Sequence, residues 1–542
     1  MKTFRLFSMA ALALMMAACN NDDNEILQNT QQPGTMHFTA TIAAPSGDAT
    51  TRTAYTEVGT QINVEWEVDD QIALVHNGVV DVARVTAVDG SGNATIEATI
   101  TGSPSDNDAV YLAYPADAVY SATPYKTFPF TPNPDIFDKV KNYQDGTLAY
   151  IQDNLDLRMG SGQLAVNGSD VTLKESVSVS SLICIWKLTL QDNAATPNAL
   201  NATKLTFKNN TYTQAKATSA AKSVYYLCVV PSYIPDASGT FSFEATVGSD
   251  TYTFSKTGLS LTAGMYYQST VTMKKTTDLS SISSDYEVKN GEVLTGTLAS
   301  NVKISIADGA TVTLKDVNIN GSGTWESGDY AGITCEGNAT ITLEGTNTVK
   351  GFDDKYPGIF VSSGKTIVIN GTGVLNASSN GSYDTGSGGA GIGGGKQMNC
   401  GNIEIKSGTV TATGNSYGAG IGGGYNANCG NITISGGTVT ATGGESAAGI
   451  GGGKRYNTSS CGNITISGGT IIATGGEDAA GIGGGRGNGN DTKSSCGTIT
   501  ITSGVTSVTA TKGSDDAQSI GAGRFGTCVA VTIEGGANVT QN

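Results

Sequence analysis

A chain of 542 residues is long enough for about two to four domains, each with a sizeable core. Only 14% of the residues are charged, Gly numbers 73, and Thr, Ser, Val and Ile recur in short alternating runs, which points to an all-β, extracellular protein. The net charge of -16, with no basic stripe, argues against nucleic acid as a partner, because phosphate binding rests on clustered Lys and Arg that release counterions.

Lys2 and Arg5 precede an apolar run from Leu6 to Ala18 that ends at Cys19. That run is too short to span a bilayer as a stable helix and has the layout of an export signal. Met16-Ala17-Ala18-Cys19 resembles the lipobox of bacterial lipoproteins, which implies removal of residues 1–18, lipidation of Cys19 and anchoring in the outer membrane. The NNDDNE that follows resembles the surface-export tag of some outer-membrane lipoproteins. Residues 19–35 are polar and read as a disordered tether.

From Met36 the apolar period becomes two: Phe38, Ala40 and Ile42, then Ile62, Val64, Trp66 and Val68. Ile72–Val75 and Val79–Val88 follow, separated by the turn His76-Asn77-Gly78. Short strands with such turns predict an antiparallel β-sandwich over 36–150. A second sandwich is expected over 151–275, from runs such as 178–190, 224–230 and 241–247; the Pro- and Asn-rich stretch between Ser121 and Asp170 places the boundary near residue 150. FTATI at 38–42, TTRTAYTE at 50–57, INVEWEVDDQIALV at 62–75 and LTAGMYYQSTVT at 261–272 resemble the fimbrillin family of pilus subunits. The resemblance implies paired β-sandwiches made as lipoproteins and a cut by an arginine-specific protease after Arg52. It also implies assembly with other pilus subunits by strand addition, in which an opened sheet edge accepts a strand from the next chain. The plainer alternative leaves Arg52 as a surface residue in an uncleaved loop.

Residues 276–284 are Ser/Thr-rich and read as a linker, and 285–542 as a right-handed parallel β-helix. The segment A-G-I-G-G-G returns with its Ile at Ile392, Ile421, Ile450 and Ile482, degenerating at Ile520, and a Cys follows each at Cys400, Cys429, Cys461, Cys496 and Cys528. Ala331-Gly332-Ile333 and Pro357-Gly358-Ile359 extend the pattern back to about residue 288. In NITISGGTVTATGG, Ile432, Ile434, Val439 and Ala441 should point inward and Thr433, Thr438, Thr440 and Thr442 outward. The Gly-rich segment should form a third, tightly turned side.

Gly418-Ala419-Gly420-Ile421-Gly422-Gly423 satisfies a dinucleotide fingerprint, but no strand–helix unit surrounds it, so its glycines are corners. The five repeat cysteines lack C-x-x-C spacing and His partners, which argues against zinc and for a reduced ladder of small core residues. Cys184 and Cys228 lie on strands of the second sandwich, where an export setting permits a disulfide as readily as two thiols. Only His37 and His76 exist, neither in the solenoid, so no catalytic site is expected. Glu445 and Glu477 stack, with Asp478 beside them; the row can be drawn as a Ca²⁺ site, though solvated turn carboxylates are the plainer account. The residues after G-G-G vary most from coil to coil: Lys396, Tyr425, Lys454 with Arg455 and Tyr456, Arg486, then Arg524 with Phe525, interspersed with Asn399, Asn426, Asn428, Asn457 and Asn488. Such a ridge suits sugars, whose C–H faces stack on rings while hydroxyls bond amides and guanidinium groups. The expectation is therefore a surface lipoprotein, a tip or minor pilus subunit, presenting a β-helical module to a glycan or another host or bacterial surface ligand. Its ending in the solenoid, with no strand to donate after it, favours the tip. The alternatives are a β-helical polysaccharide-degrading enzyme and a non-binding stalk.

Overall fold

A computed structural model of the chain describes residues 36–44, 56–58, 61–63, 65–125, 128–209, 212–234, 238–321, 330–381, 388–455, 459–489 and 494–542. Cys19, Arg52, Tyr456 and Asn457 lie outside the described residues. The chain opens with β1 (Met36–Ile42), the hairpin β2 (Thr56–Val58) and β3 (Gln61–Asn63), then β4 (Gln71–His76), β5 (Val79–Val88), β6 (Ala94–Ile100) and β7 (Ala109–Tyr114). A ribbon of β8 (Val119–Ser121) and β9 (Thr131–Pro132) leads to helices α1 (Pro134–Asn142) and α2 (Leu148–Leu155). Next come β10 (Arg158–Asn167), β11 (Asp170–Leu173) and β12 (Ser180–Ser181). β13 (Cys184–Asp192), β14 (Ala202–Asn209), β15 (Tyr212–Lys222), β16 (Val224–Val229), β17 (Thr240–Val247), β18 (Asp250–Thr257) and β19 (Tyr266–Asp278) follow. The first coil strands are β20 (Tyr286–Val288), β21 (Val293–Thr297), β22 (Ile304–Ile306) and β23 (Ala310–Asn320).

The chain divides into two compact units whose segments interleave. The first holds β1 through Ala44, Trp66–Pro132 and Met159–Val179. Its strands join in the order β11-β1-β6-β5-β4-β7-β10, and β10 pairs back with β11, which closes the sheet. β1 has a hydrogen-bonded neighbour on each side, antiparallel β6 and parallel β11. Its period of two sends Phe38, Ala40 and Ile42 into the core.

The second unit holds the β2–β3 hairpin, Asn133–Arg158 and Ser180–Asn542. In its sandwich β13 lies between antiparallel β16 and parallel β19, β14 lies between antiparallel β15 and β17, β18 lies between β17 and β19, and β15 beside β16 closes the ring. With strands taken in chain order the two closed sheets share one connectivity, and β1 occupies the place that β13 occupies in the other. Rings of Trp186, Phe207, Phe241 and Phe243 fill the second core at centroid separations of 5.1 to 5.8 Å.

β19 does not stop where the sandwich does. Its last residues pair in parallel with β21, Thr276 to Val293 through Asp278 to Thr295, and Leu279 and Ile282 enter the coil core. The segment with the composition of a linker thus joins sandwich and coils into one continuous sheet. Beyond it each coil contributes three strands. One side stacks Ile403, Ile432, Ile464 and Ile499, a second Val410, Val439, Ile471 and Val508, and the Gly-rich side Ile392, Ile421, Ile450, Ile482 and Ile520. Ile359 and Ile333 continue the third row backward. These side chains are buried while the threonines between them face out, and each fully buried Ile contributes roughly 1.5–3 kcal/mol relative to exposure. The Gly-rich side is itself a parallel sheet, built of two-residue strands in its later coils. Gly422 and Gly451 there have φ of 133° and 132°, and a Cβ on either would run into the glycine carbonyl of the next coil.

Candidate ligand ridge on the coil stack

Where the chain leaves each Gly-rich strand, Lys396, Tyr425, Lys454, Arg486 and Arg524 emerge half-buried and Phe525 emerges exposed. They form two clusters. In the first, the rings of Tyr417 and Tyr425 lie 5.2 Å apart, Lys454 Nζ stands 3.8 Å from the centre of the Tyr417 ring, and Lys396 Nζ 6.0 Å from that of Tyr425. Tyr417 escaped the sequence pattern because it precedes its A-G-I-G-G-G segment. Coil register brings it to the ridge, where the Lys454 N–H donates to its carbonyl at 2.9 Å.

The second cluster closes on Asp478. Arg486 Nη1 and Arg524 Nη1 lie 3.4 and 3.1 Å from Asp478 Oδ2, and Ser514 Oγ donates to Oδ1 at 2.8 Å. Burial works to raise this carboxyl, but the bonds from Ser514 and Arg524 and the charges of both arginines outweigh it and hold it below the usual carboxylate range. Arg524 also reaches Asp516 at 3.2 Å and lies 4.8 Å from the Phe525 ring centre. Asp478 is therefore committed to guanidinium groups rather than open to Ca²⁺.

Three ridge assignments are corrected. Arg455 is completely buried: its side chain turns under the glycine strand, with Nη1 3.5 Å from Asn428 Oδ1. Asn399 and Asn428 are structural, since Asn399 Oδ1 accepts the Asn428 N–H and Asn428 Oδ1 the Ser460 N–H, each at 2.7 Å. Asn402, Asn431 and Asn463 form a like ladder on the next strand. Cys400, Cys429, Cys461 and Cys496 of the cysteine ladder are buried and Cys528 partly so, but the ladder is not wholly reduced, since Cys496 and Cys528 are joined as a disulfide. Cys184 and Cys228 are buried thiols in offset register, Cys184 opposite Val229 and Cys228 opposite Ile185. Burial pushes the Cys184 thiol up to about 12.

A cleft that the sequence pattern did not reveal lies on the early coils, lined by Tyr330, Tyr356, Phe360 and Met398 with Lys303 and Glu336 paired at its rim. Tyr330 and Tyr356 come from separate loops and Phe360 from a strand, so no local motif marks it.

The family model described as "Beta helix repeat" matches residues 403–425, 432–454 and 464–486. No curated protein matches the sequence. Among solved structures, a fimbrial protein from Bacteroides ovatus is 13% identical, with a TM-score of 0.23 over 44% of this chain and 51% of that one, so the match spans about half of that protein's length. A putative cell adhesion protein from Bacteroides ovatus is 14% identical, TM-score 0.26, over 45% of this chain and 96% of that one. A fimbrial assembly protein from Parabacteroides distasonis is 11% identical, TM-score 0.27, over 44% and 92%. The chain is thus a nearly all-β protein whose C-terminal coils, stacked as parallel strands, match a β-helix repeat.

Proposed function

We propose that this chain is a surface lipoprotein that joins a pilus-type fibre by strand replacement and presents its coil stack as an adhesive module. The observation that carries the proposal is the position of β1. It is hydrogen-bonded on both flanks and supplies three core side chains, yet it belongs to the first unit while the next described segment, the β2–β3 hairpin, belongs to the second. A single cut at Arg52, which lies between them in sequence, would separate β1 from everything that follows and leave a vacant groove between β6 and β11. An extended strand with apolar residues at alternate positions from another subunit has the chemistry to fill it.

The ridge and the aromatic cleft support a glycan or surface-ligand role, and the bulk of the stack suits a minor or tip subunit. Binding rather than catalysis is favoured because Asp353, Asp515 and Asp516 each sit in an ion pair, with Lys355, Lys512 and Arg524. The test is N-terminal sequencing of the chain recovered from assembled fibres. Chains beginning at Thr53 are expected in the wild type, and Arg52→Ala should leave the protein on the membrane but out of fibres. Fibre-borne chains that still begin at Cys19 would refute strand replacement.

A further inference from the structure

The five repeat cysteines stand one above another in successive coils: Cys429 is bridged to Cys461, Cys461 pairs with Cys496, and Cys496 with Cys528. An odd ladder cannot pair completely. Cys496 and Cys528 are bonded, Cys400 Sγ and Cys429 Sγ approach to 2.7 Å, and Cys461 is left between the two pairs. Beside it lies Arg455, fully buried, whose Nε and Nη2 have no hydrogen-bond partner. A buried guanidinium with two unsatisfied nitrogens is costly, and the ladder thiols are what its charge acts upon. Burial pushes the Arg455 guanidinium down to about 10, and the charges of Cys461, Cys429 and Cys400 oppose that shift. Cys461 is lowered by its hydrogen bond with Cys429 and by the Arg455 charge, against burial, whereas Cys429 is raised by its bonds to Cys400 and Cys461 and by burial.

We propose that Cys461, in coil register with Cys496, is the nucleophile of an internal disulfide exchange that moves the bond from Cys496–Cys528 to Cys461–Cys496. Cys461 Sγ attacks Cys496 Sγ one coil away, a new S–S bond forms, and the old one breaks with its electron pair on Cys528 Sγ, which takes a proton from water. No external oxidant or reductant is consumed. The consequence is a change of address for the unpaired thiol. Cys461 is 1% exposed, whereas Cys528 is only partly buried and lies between exposed Thr527 and Val529. Exchange would deliver a thiol where a disulfide-bearing partner can capture it, forming a mixed disulfide and releasing the partner's thiolate.

The experiment alkylates the folded, unreduced full chain with N-ethylmaleimide in mildly acidic buffer and maps thiols and disulfides by peptide mass spectrometry. Label on Cys528 together with a Cys461–Cys496 disulfide in the same molecules is expected. Cys461→Ser, verified as folded by its melting temperature, should abolish that label. Arg455→Met should slow labelling by about tenfold and move the midpoint of its pH profile upward, whereas Arg455→Lys should retain most of the rate. An unlabelled Cys528 in the wild type, equal labelling in Cys461→Ser, or an unmoved pH profile in Arg455→Met would overturn the proposal.

Discussion

At the scale of single residues, the coil stack converts similar sequence positions into different environments. Lys396, Tyr425, Lys454 and Arg486 each follow a G-G-G and emerge half-buried, but Arg455, one position further on, is enclosed. Loop length is part of the cause. A Cys follows Gly395 and Gly424 after five residues but Gly453 after eight, and the longer loop lets Arg455 fold back under Gly423. A pattern of residue types carries no such signal, because Arg in a polar run reads as solvated wherever it lies. Asp478 is the converse case, an acidic turn residue that became the hub for two arginines. Its folded carboxyl lies below the usual range, so the folded state takes up a proton less readily than the unfolded state. The stabilisation is complete above about pH 4 and drains away as pH falls through the folded value. Both arginines are partly exposed, so Asp478→Asn is expected to cost only about 1 kcal/mol at neutral pH. Melting curves should show the gap between variant and wild type closing in acid; a gap that persists there would mean the charge is not its source.

At the scale of elements, the regular coils were legible from the sequence because inward Ile and Val alternate with outward Thr, and like coils stack like residues. The sheet built from A-G-I-G-G-G was less so, since two-residue strands show no alternation and are defined by the coils above and below. Register also decides which side chains meet across coils. Tyr417 and Tyr425 come from opposite ends of one Gly-rich segment, yet Lys454 and Lys396 from the neighbouring coils cover them. If this cluster is the recognition surface, Tyr417→Ala and Tyr425→Ala should each weaken binding on a glycan array by about tenfold, as expected for loss of one stacked ring. Tyr356→Ala in the cleft serves as the contrast. Loss of binding in that variant with none in the tyrosine pair would move the site from ridge to cleft.

At the scale of the whole molecule, two closed seven-stranded sheets share a connectivity, and only the second continues into a solenoid. The means of continuation is β19, which pairs with β13 along most of its length, then with β18, and at its end with β21. Composition misrepresents such a segment, because Ser and Thr serve outward strand positions as well as they serve a flexible joint. The junction is also tied by side chains: Tyr286 Oη donates to the buried carboxylate of Glu292 at 3.0 Å and meets Thr277 Oγ1 at 3.2 Å. Burial raises the Tyr286 hydroxyl, so it remains protonated and keeps donating across the physiological range. Solenoids gain stability from nearest-neighbour interfaces, so a first coil built onto a sandwich strand should unfold with that strand rather than fray from it. Hydrogen exchange along a urea series is expected to show the amides of β19 and β21 opening at one concentration. Tyr286→Phe leaves Glu292 without this bond at a cost of about 1–3 kcal/mol, and should move both sets down together. Amides of β21 that open well before those of β19 in the wild type would mean that sandwich and coils are separate cooperative units despite their shared sheet.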